Sequence, residues 1–346
     1  MSVQTITVAA GEGEQRLDRW LRRRFPHVNQ GRIEKLCRKG DIRVDGAKVT
    51  ASTRVEAGQQ VRVPPLPVVE SLPKDPAEGV SRADAEMIQA CVLYRDDHLI
   101  ALNKPPGLAA QGGSGTLKHV DGLAQALKFG LEEKPRLVHR LDKDTSGILL
   151  LARTRTVAAA LTAAFRTRET RKIYWAVVAG VPQPYKGSIK YGLLKAPGHG
   201  AKGEAEKMIC IHPGEVDKTP DAKRAHTDYA VLSALGRRAA WVAMEPVTGR
   251  THQLRAHMAE IGHPIIGDGK YGGSGQENLG DGWGAQLGGD VSRKMHLHAR
   301  LLYLTHPVTG KRLELVAPLP DHMARTWATF GWDVNEFVPD PFEANE

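Results

Sequence analysis

In the first sixty residues the apolar positions recur at helical spacing and then switch to alternation. Leu17, Trp20 and Leu21 fall on one helix face, with Arg19, Arg22, Arg23 and Arg24 between and after them, and Pro26 is expected to end that helix. Asn29 is placed to cap a second helix, in which Ile33, Leu36 and Cys37 repeat the spacing and Gly40 supplies the C-terminal stop. Ile42 to Val44, the pair Asp45-Gly46 and then Val49 predict a tight hairpin. A last strand is expected at Gln60 to Val63, before Pro64, Pro65 and Pro67.

From Pro64 to about Ala85 there are five prolines and few large apolar residues, which predicts a semi-extended linker. A second domain is expected from Cys91, where VLYRDDHLIALNKPPG reads as two apolar strands around Asp96 and Asp97 with a Lys-Pro-Pro-Gly stop. QGGSG, residues 111–115, lacks the spacing of a phosphate-binding loop and is expected to be a flexible loop near a ligand. Val157 to Phe165 reads as a helix, and RKIYWAVVAG, residues 171–180, as a strand with Tyr174 on one face. THQLRAHMAEIG reads as a helix beginning near Thr251, with His252, Arg255 and His257 on a polar face that residue pattern alone assigns to solvent. Lys294 to Pro320 predicts two strands around a turn at His306 to Gly310, with His296 and His298 on one face, structural or turned toward a ligand. Gly198–Arg224 and the glycine-rich Gly272–Val291 are expected to be exposed excursions, and the acidic residues after Phe330 a loose tail. The resulting division is 14–63, a linker at 64–90, a main domain at 91–325 and a tail at 326–346.

One stretch stands apart. LVHRLDKDTSGILLLAR, residues 137–153, sets a polar block of nine residues, His139 to Gly147, between two strand-like segments. Thr145, Ser146 and Gly147 suit a turn. A turn has no use for a histidine, an arginine, a lysine and two aspartates, and charges are costly to bury without partners. In an extended segment Arg140 and Asp142 point to the same side, so both could reach one pocket. The plainer alternative is a surface loop with a local ion pair.

Composition narrows the classes. The chain has 346 residues, long enough for about two domains, and its apolar and charged fractions are those of a soluble globular protein. It contains no apolar run of membrane-spanning length, and its first residues do not resemble a secretory signal. Cys37, Cys91 and Cys210 are far apart and odd in number, as expected of free thiols in a reducing compartment. The histidine spacing around residue 252 does not suit a metal site. Net charge is +9, and residues 14–63 hold 13 Lys and Arg against 6 Asp and Glu, a surplus of +7. Basic charge concentrated in that way suits a polyanion.

HRLDKDTSG resembles the signature of the RluA-type pseudouridine synthases, which act on RNA. The resemblance extends through the NKPPG segment (Asn103 to Gly107), Tyr174 in its strand, and GRTHQLRAH (Gly249 to His257), in the order the family has them. It implies that Asp142 is the catalytic carboxylate, that Tyr174 is an active-site tyrosine, that Arg255 pairs with Asp142, and that Arg140 fills the gap left by a flipped base. RIEKLCRKGDIRVDGAKV, within residues 14–63, resembles an S4-type RNA-binding module, in which Arg22, Arg23, Arg32, Lys35, Arg38, Lys39 and Arg43 would meet phosphates. The joined pair resembles the RluC-like branch, which modifies several uridines of large-subunit (23S) ribosomal RNA.

The expectation is therefore an α+β protein. Its main domain should carry a mixed, mostly antiparallel sheet of pseudouridine synthase type, preceded by a small S4-like domain. As an isomerase it would need no metal or redox cofactor. Ribosomal RNA or an assembly precursor is the expected partner, with no membrane, a cytoplasmic location and a monomeric state. Transfer RNA as substrate, or a non-catalytic RNA-binding assembly factor, are the alternatives.

Overall fold

The computed structural model describes residues 3–9, 11–25, 28, 30–66, 80–113, 118–167, 169–196, 207–272, 291–336 and 340–342. The chain divides into two compact units, Met1–Gly79 and Val80–Glu346. Pro26, Asn29, most of the proline-rich stretch, part of the QGGSG loop, residues 198–206 and residues 273–290 lie outside the described residues, and with them the features expected there.

In the first unit β1 (Gln4–Thr7) and β2 (Gln15–Arg16) precede α1 (Leu17–Arg24) and α2 (Gln30–Lys39). The strands β3 (Arg43–Val44), β4 (Ala47–Lys48), β5 (Arg54–Val55) and β6 (Gln60–Val63) follow. Both helices are amphipathic as the spacing predicts. Leu17, Trp20, Leu21, Ile33 and Cys37 are buried in one cluster with Val44, Val55, Val61 and Val63. The β3–β4 hairpin pairs Arg43 with Lys48 and Val44 with Ala47, and Asp45 and Gly46 both take positive φ, as a primed two-residue turn demands. Before residue 14, β1 pairs along β6, and Val8, just after β1, is buried in the same cluster.

The second unit begins inside the expected linker. Residues Arg82–Ala90 form α3, capped by Ser81, whose side chain accepts from Asp84 N, and Ile88 is fully buried. Helix α3 has weak amphipathic contrast and follows a proline-rich run, which hides it from pattern reading. Then come β7 (Val92–Arg95), β8 (Leu99–Lys104), α4 (Val120–Leu123), β9 (Arg136–Leu137), β10 (Ser146–Ala152), α5 (Arg155–Thr167) and β11 (Arg171–Ala179). The strands β12 (Lys186–Ile189), β13 (Gly192–Lys195), β14 (Met208–Ile211), β15 (Lys223–Arg224), β16 (Thr227–Leu235) and β17 (Ala239–Pro246) lead to α6 (Gln253–Glu260). Last are β18 (Leu297–Thr305), β19 (Arg312–Val316) and α7 (Asp321–Phe330).

Among the described residues ten strands form one sheet, ordered β12-β16-β17-β11-β18-β10-β8-β7, with β9 on β10 and β19 on β18. The β10–β18 contact is parallel and the other described pairings in it are antiparallel, so the sheet is mixed and mostly antiparallel. Both faces are covered. Tyr174, Ala176 and Val178 enter one apolar cluster while Ile173, Trp175 and Val177 enter another. This is why Ile148 to Ala152 is continuously apolar instead of alternating.

Two further expectations are corrected. Residues 207–224 are not an irregular excursion, because β14 and β15 flank β13 in a small sheet and Val216 is buried. Residues 326–336 are not a loose tail: Thr326, Trp327 and Trp332 are buried, with Trp327 and Trp332 packing edge-on 5.4 Å apart.

Candidate functional site

Asp142 sits where β9 returns to β10 through a turn at Lys143–Asp144, closed by Thr145 N donating to Asp142 O at 3.2 Å. Ser146 and Gly147 belong to β10 and not to the turn, and Gly147 is needed there for a steric reason. It takes φ +104°, and a Cβ at that position would collide with the Ala299 backbone of β18. The turn is pinned from the other side. Lys104, fully buried at the end of β8, donates to Lys143 O at 3.0 Å, Pro105 O at 3.0 Å and Leu108 O at 2.8 Å, and Gly107 N also reaches Lys143 O. Burial pulls the Lys104 ammonium down to about 7. Three carbonyl acceptors, however, take three N–H bonds, which only the charged form possesses. The carbonyl beside Asp142 is thus held by a cation.

Arg255 meets Asp142 from α6, with Nη1 3.2 Å from Oδ2. The same guanidinium makes a two-pronged bond to buried Asp268, Nε to Oδ2 at 2.7 Å and Nη2 to Oδ1 at 2.8 Å. Asp268 also accepts from the backbone N–H groups of Lys270 and Tyr271. Its carboxyl lies below the ordinary carboxylate range: burial opposes this, but Arg255 and the two amides overcome it. Tyr271 lies 5.2 Å under the Arg255 guanidinium, and its hydroxyl contacts His252 Nδ1 at 3.0 Å. Arg255 is therefore locked by one carboxylate and offers its remaining edge to another.

The helix carrying Arg255 is not the solvated one its pattern suggested, since Gln253 through Met258 are all buried. Its start is set by His252 in the left-handed conformation, not by Thr251. Gln253 ties the preceding loop down, accepting from Arg250 N and Thr248 Oγ1 and donating to His226 O and Thr227 Oγ1. His257 bridges Thr227 Oγ1 and Tyr191 O, and burial pushes it down to about 4, so it is a neutral structural group. His298 bonds to Ser146 Oγ and Ala317 O, and His296 to Thr326 Oγ1. Both are buried, which excludes the ligand-facing alternative for them.

Asp142, Tyr174, Arg255 and Arg140 line one cleft of about 560 Å³. Arg140 is exposed there, while the preceding His139 stacks on Phe165 at 4.4 Å and accepts from Leu150 N at 2.9 Å. Tyr174 is only 8% exposed, and burial followed by the charge of Asp142 pushes its phenol well above the ordinary value, so it stays neutral. Among the described residues its hydroxyl makes no hydrogen bond. Asp142 is the one acid among the described lining residues, against Arg140, Lys143, Lys172, Arg250 and Arg255. The cleft is thus a neutral phenol and a partnered carboxylate set in a basic wall. No group of three His, Cys, Asp or Glu side chains able to hold a metal occurs among the described residues. Lys104, His252, Asp268 and Tyr271 were not assigned roles from sequence. Asp268 closes the same GRTHQ…HPIIGD segment, but nothing in its local pattern says that it faces Arg255 thirteen residues earlier.

In the first unit all seven basic residues singled out in sequence are exposed: Arg22, Arg23, Arg32, Lys35, Arg38, Lys39 and Arg43. Arg43 also braces its own hairpin, donating to Gly40 O and Gly46 O.

A mixed sheet with this carboxylate–arginine cleft, following a small basic unit, defines a class of RNA-modifying enzymes. The chain belongs to the RNA pseudouridylate synthase family, whose model matches residues 98–260, and the S4 domain model matches residues 15–61. It is 36% identical over 326 residues to the ribosomal large subunit pseudouridine synthase C of Vibrio cholerae, spanning 93% of this chain and 95% of that one. It is 34% identical over 334 residues to the protein of the same name from Escherichia coli, spanning 94% and 95%. Among solved structures it is similar to human RNA pseudouridylate synthase domain containing 4, with a TM-score of 0.57 and 31% identity, covering 71% of this chain and 95% of that one.

Proposed function

We propose that this protein converts specific uridines of large-subunit ribosomal RNA to pseudouridine, with Asp142 as the catalytic carboxylate. The observation that carries the assignment is the Asp142–Arg255 pair in a cleft whose other charged lining residues are all cations. The reaction detaches uracil from its ribose, turns it, and rejoins it through carbon 5. A uridine inside folded RNA is out of reach for this and must be flipped out. Arg255 keeps the Asp142 carboxylate ionised and aimed, because an adjacent cation favours the charged form. Tyr174 offers its ring and a neutral hydroxyl that has no hydrogen bond among the described residues to the extruded base. Arg140, at the exposed edge of the cleft, occupies the space the base vacates.

Residues 14–63 supply affinity through phosphate contacts, and residues 91–325 perform the chemistry. The substrate is read mainly by local RNA shape, which lets one pocket serve more than one uridine. The site of action is the cytoplasm, and the working form is a monomer.

The test is turnover on protein-free large-subunit RNA. Wild-type protein is expected to form pseudouridine. Asp142→Asn is expected to bind the RNA as well as wild type and to lose turnover by several orders of magnitude. Turnover within about tenfold of wild type would remove Asp142 from the chemistry.

A further inference from the structure

Strand β11 carries two adjacent cations with opposite circumstances. Arg171 faces away from the cleft and is held by Glu245 and Asp340, both at 2.9 Å. Lys172, next in the chain, lines the cleft together with Tyr174. Lys172 is partly buried, and burial depresses its pKa. Among the described residues its ammonium has neither an ion pair nor a hydrogen bond, only the Phe165 ring at 5.6 Å. The carboxylate that acts on it from a distance, Glu245, is already engaged by Arg171. An ammonium withdrawn from water without a partner is a net cost to folding.

The surroundings indicate what would compensate it. A Cβ at Gly249 would lie 4.0 Å from Lys172 Nζ, so the ammonium rests against a side-chain-free turn. Arg250 follows on that turn and also lines the cleft. No acid except Asp142 lines this space among the described residues, and Asp142 is engaged by Arg255. Residues two apart on a strand lie about 6.6 Å apart, comparable to the reach from a nucleotide's base to its phosphate. We propose that Lys172 receives a backbone phosphate of the substrate RNA flanking the extruded uridine, making it a binding residue for the strand that enters the cleft. The inference rests on the RNA-modifying reading above and adds a specific contact to it. Binding of that phosphate supplies the partly buried ammonium with an anion, and a charge-assisted contact in a partly dry site is stronger than its equivalent at the surface.

The test combines Lys172→Met with a short target RNA in which each phosphate near the uridine is replaced, one at a time, by a neutral methylphosphonate. Methionine keeps the length and removes the charge. Lys172→Met is expected to melt no lower than wild type and to bind the unmodified RNA roughly tenfold or more weakly, with the slope of log K against log salt shallower by about 0.7. One methylphosphonate position should weaken wild type by a similar factor and leave Lys172→Met unaffected, and Lys172→Arg should restore most of the affinity. Unchanged affinity and salt slope in Lys172→Met, or a scan of wild type in which no neutral linkage costs affinity, would overturn the proposal. The wild-type scan needs no variant, so misfolding of Lys172→Met would not obscure it. Wild-type turnover on the same RNA is measured alongside: its absence would remove the enzymatic reading while leaving the binding result legible.

Discussion

Arg255 is shared by two carboxylates, and the sharing divides their roles. Asp268, buried and bound through both oxygens, fixes the plane of the guanidinium, while Asp142, with 27% of its side chain exposed, remains accessible. Burial disfavours the charged form of four histidines in this unit. Burial, the largest cause in each case, holds His139 and His298 near 3 and His257 and His296 near 4, against an ordinary 6.5. A ring nitrogen of His139 accepts a hydrogen bond from Leu150 N, while His257 and His298 are hydrogen-bonded to Thr227 Oγ1 and Ser146 Oγ. The unfolded chain binds protons at these rings from about 6.5 downward while the folded chain does not. The contribution of these rings to stability is therefore complete above about 6.5 and is lost progressively as pH falls toward 4. Melting curves across that window should show a steep fall for the second unit. A flat profile would mean that these rings are charged or hydrated in the folded protein.

At the scale of elements, the site depends on β10 starting against β18. That parallel contact is brief, Ser146 with His298 and Gly147 with Ala299, and it joins residues about 150 apart in sequence. Gly147→Ala combines a strained φ with a backbone collision and is expected to cost about 3 kcal/mol or more. Gly130→Ala is the control, because Gly130 has φ +87° but open space around it, and should cost only the conformational part, about 1 to 2 kcal/mol. Comparable melting temperatures for the two variants would contradict the close approach. The elements legible in the sequence were those with local signals: α1 and α2 from spacing, the β3–β4 hairpin from Asp45-Gly46, β8, β10 and β11 from their apolar runs, and α5. The missed elements owe their form to distant partners. β1 is short and polar until paired with β6, and α3 hides behind prolines; α6 is legible as a helix, but the burial of its polar residues is not, because Asp268, Thr227 and Tyr191 come to meet them from a distance. For the same reason Asp142, Tyr174 and Arg255 could be picked out by resemblance to a family, whereas the support from Lys104 and Asp268 required the fold.

For the whole molecule, the proposed function divides affinity and chemistry between the two units. The first unit buries one face of each helix and leaves Arg22, Arg23, Arg32, Lys35, Arg38 and Lys39 exposed on the other. Removing residues 14–63 is expected to weaken RNA binding and flatten its salt dependence, because fewer phosphate contacts release fewer counterions. Binding titrations at several salt concentrations measure this, and an unchanged slope would place the affinity elsewhere. The most direct test of the account is a map of pseudouridines in ribosomal and transfer RNA from cells lacking the protein, repeated after restoring either the wild type or Asp142→Asn. The account predicts loss at more than one uridine of large-subunit RNA, with transfer RNA unchanged, and recovery with wild type only. Intact large-subunit sites in the deletion, or recovery with Asp142→Asn, would contradict it.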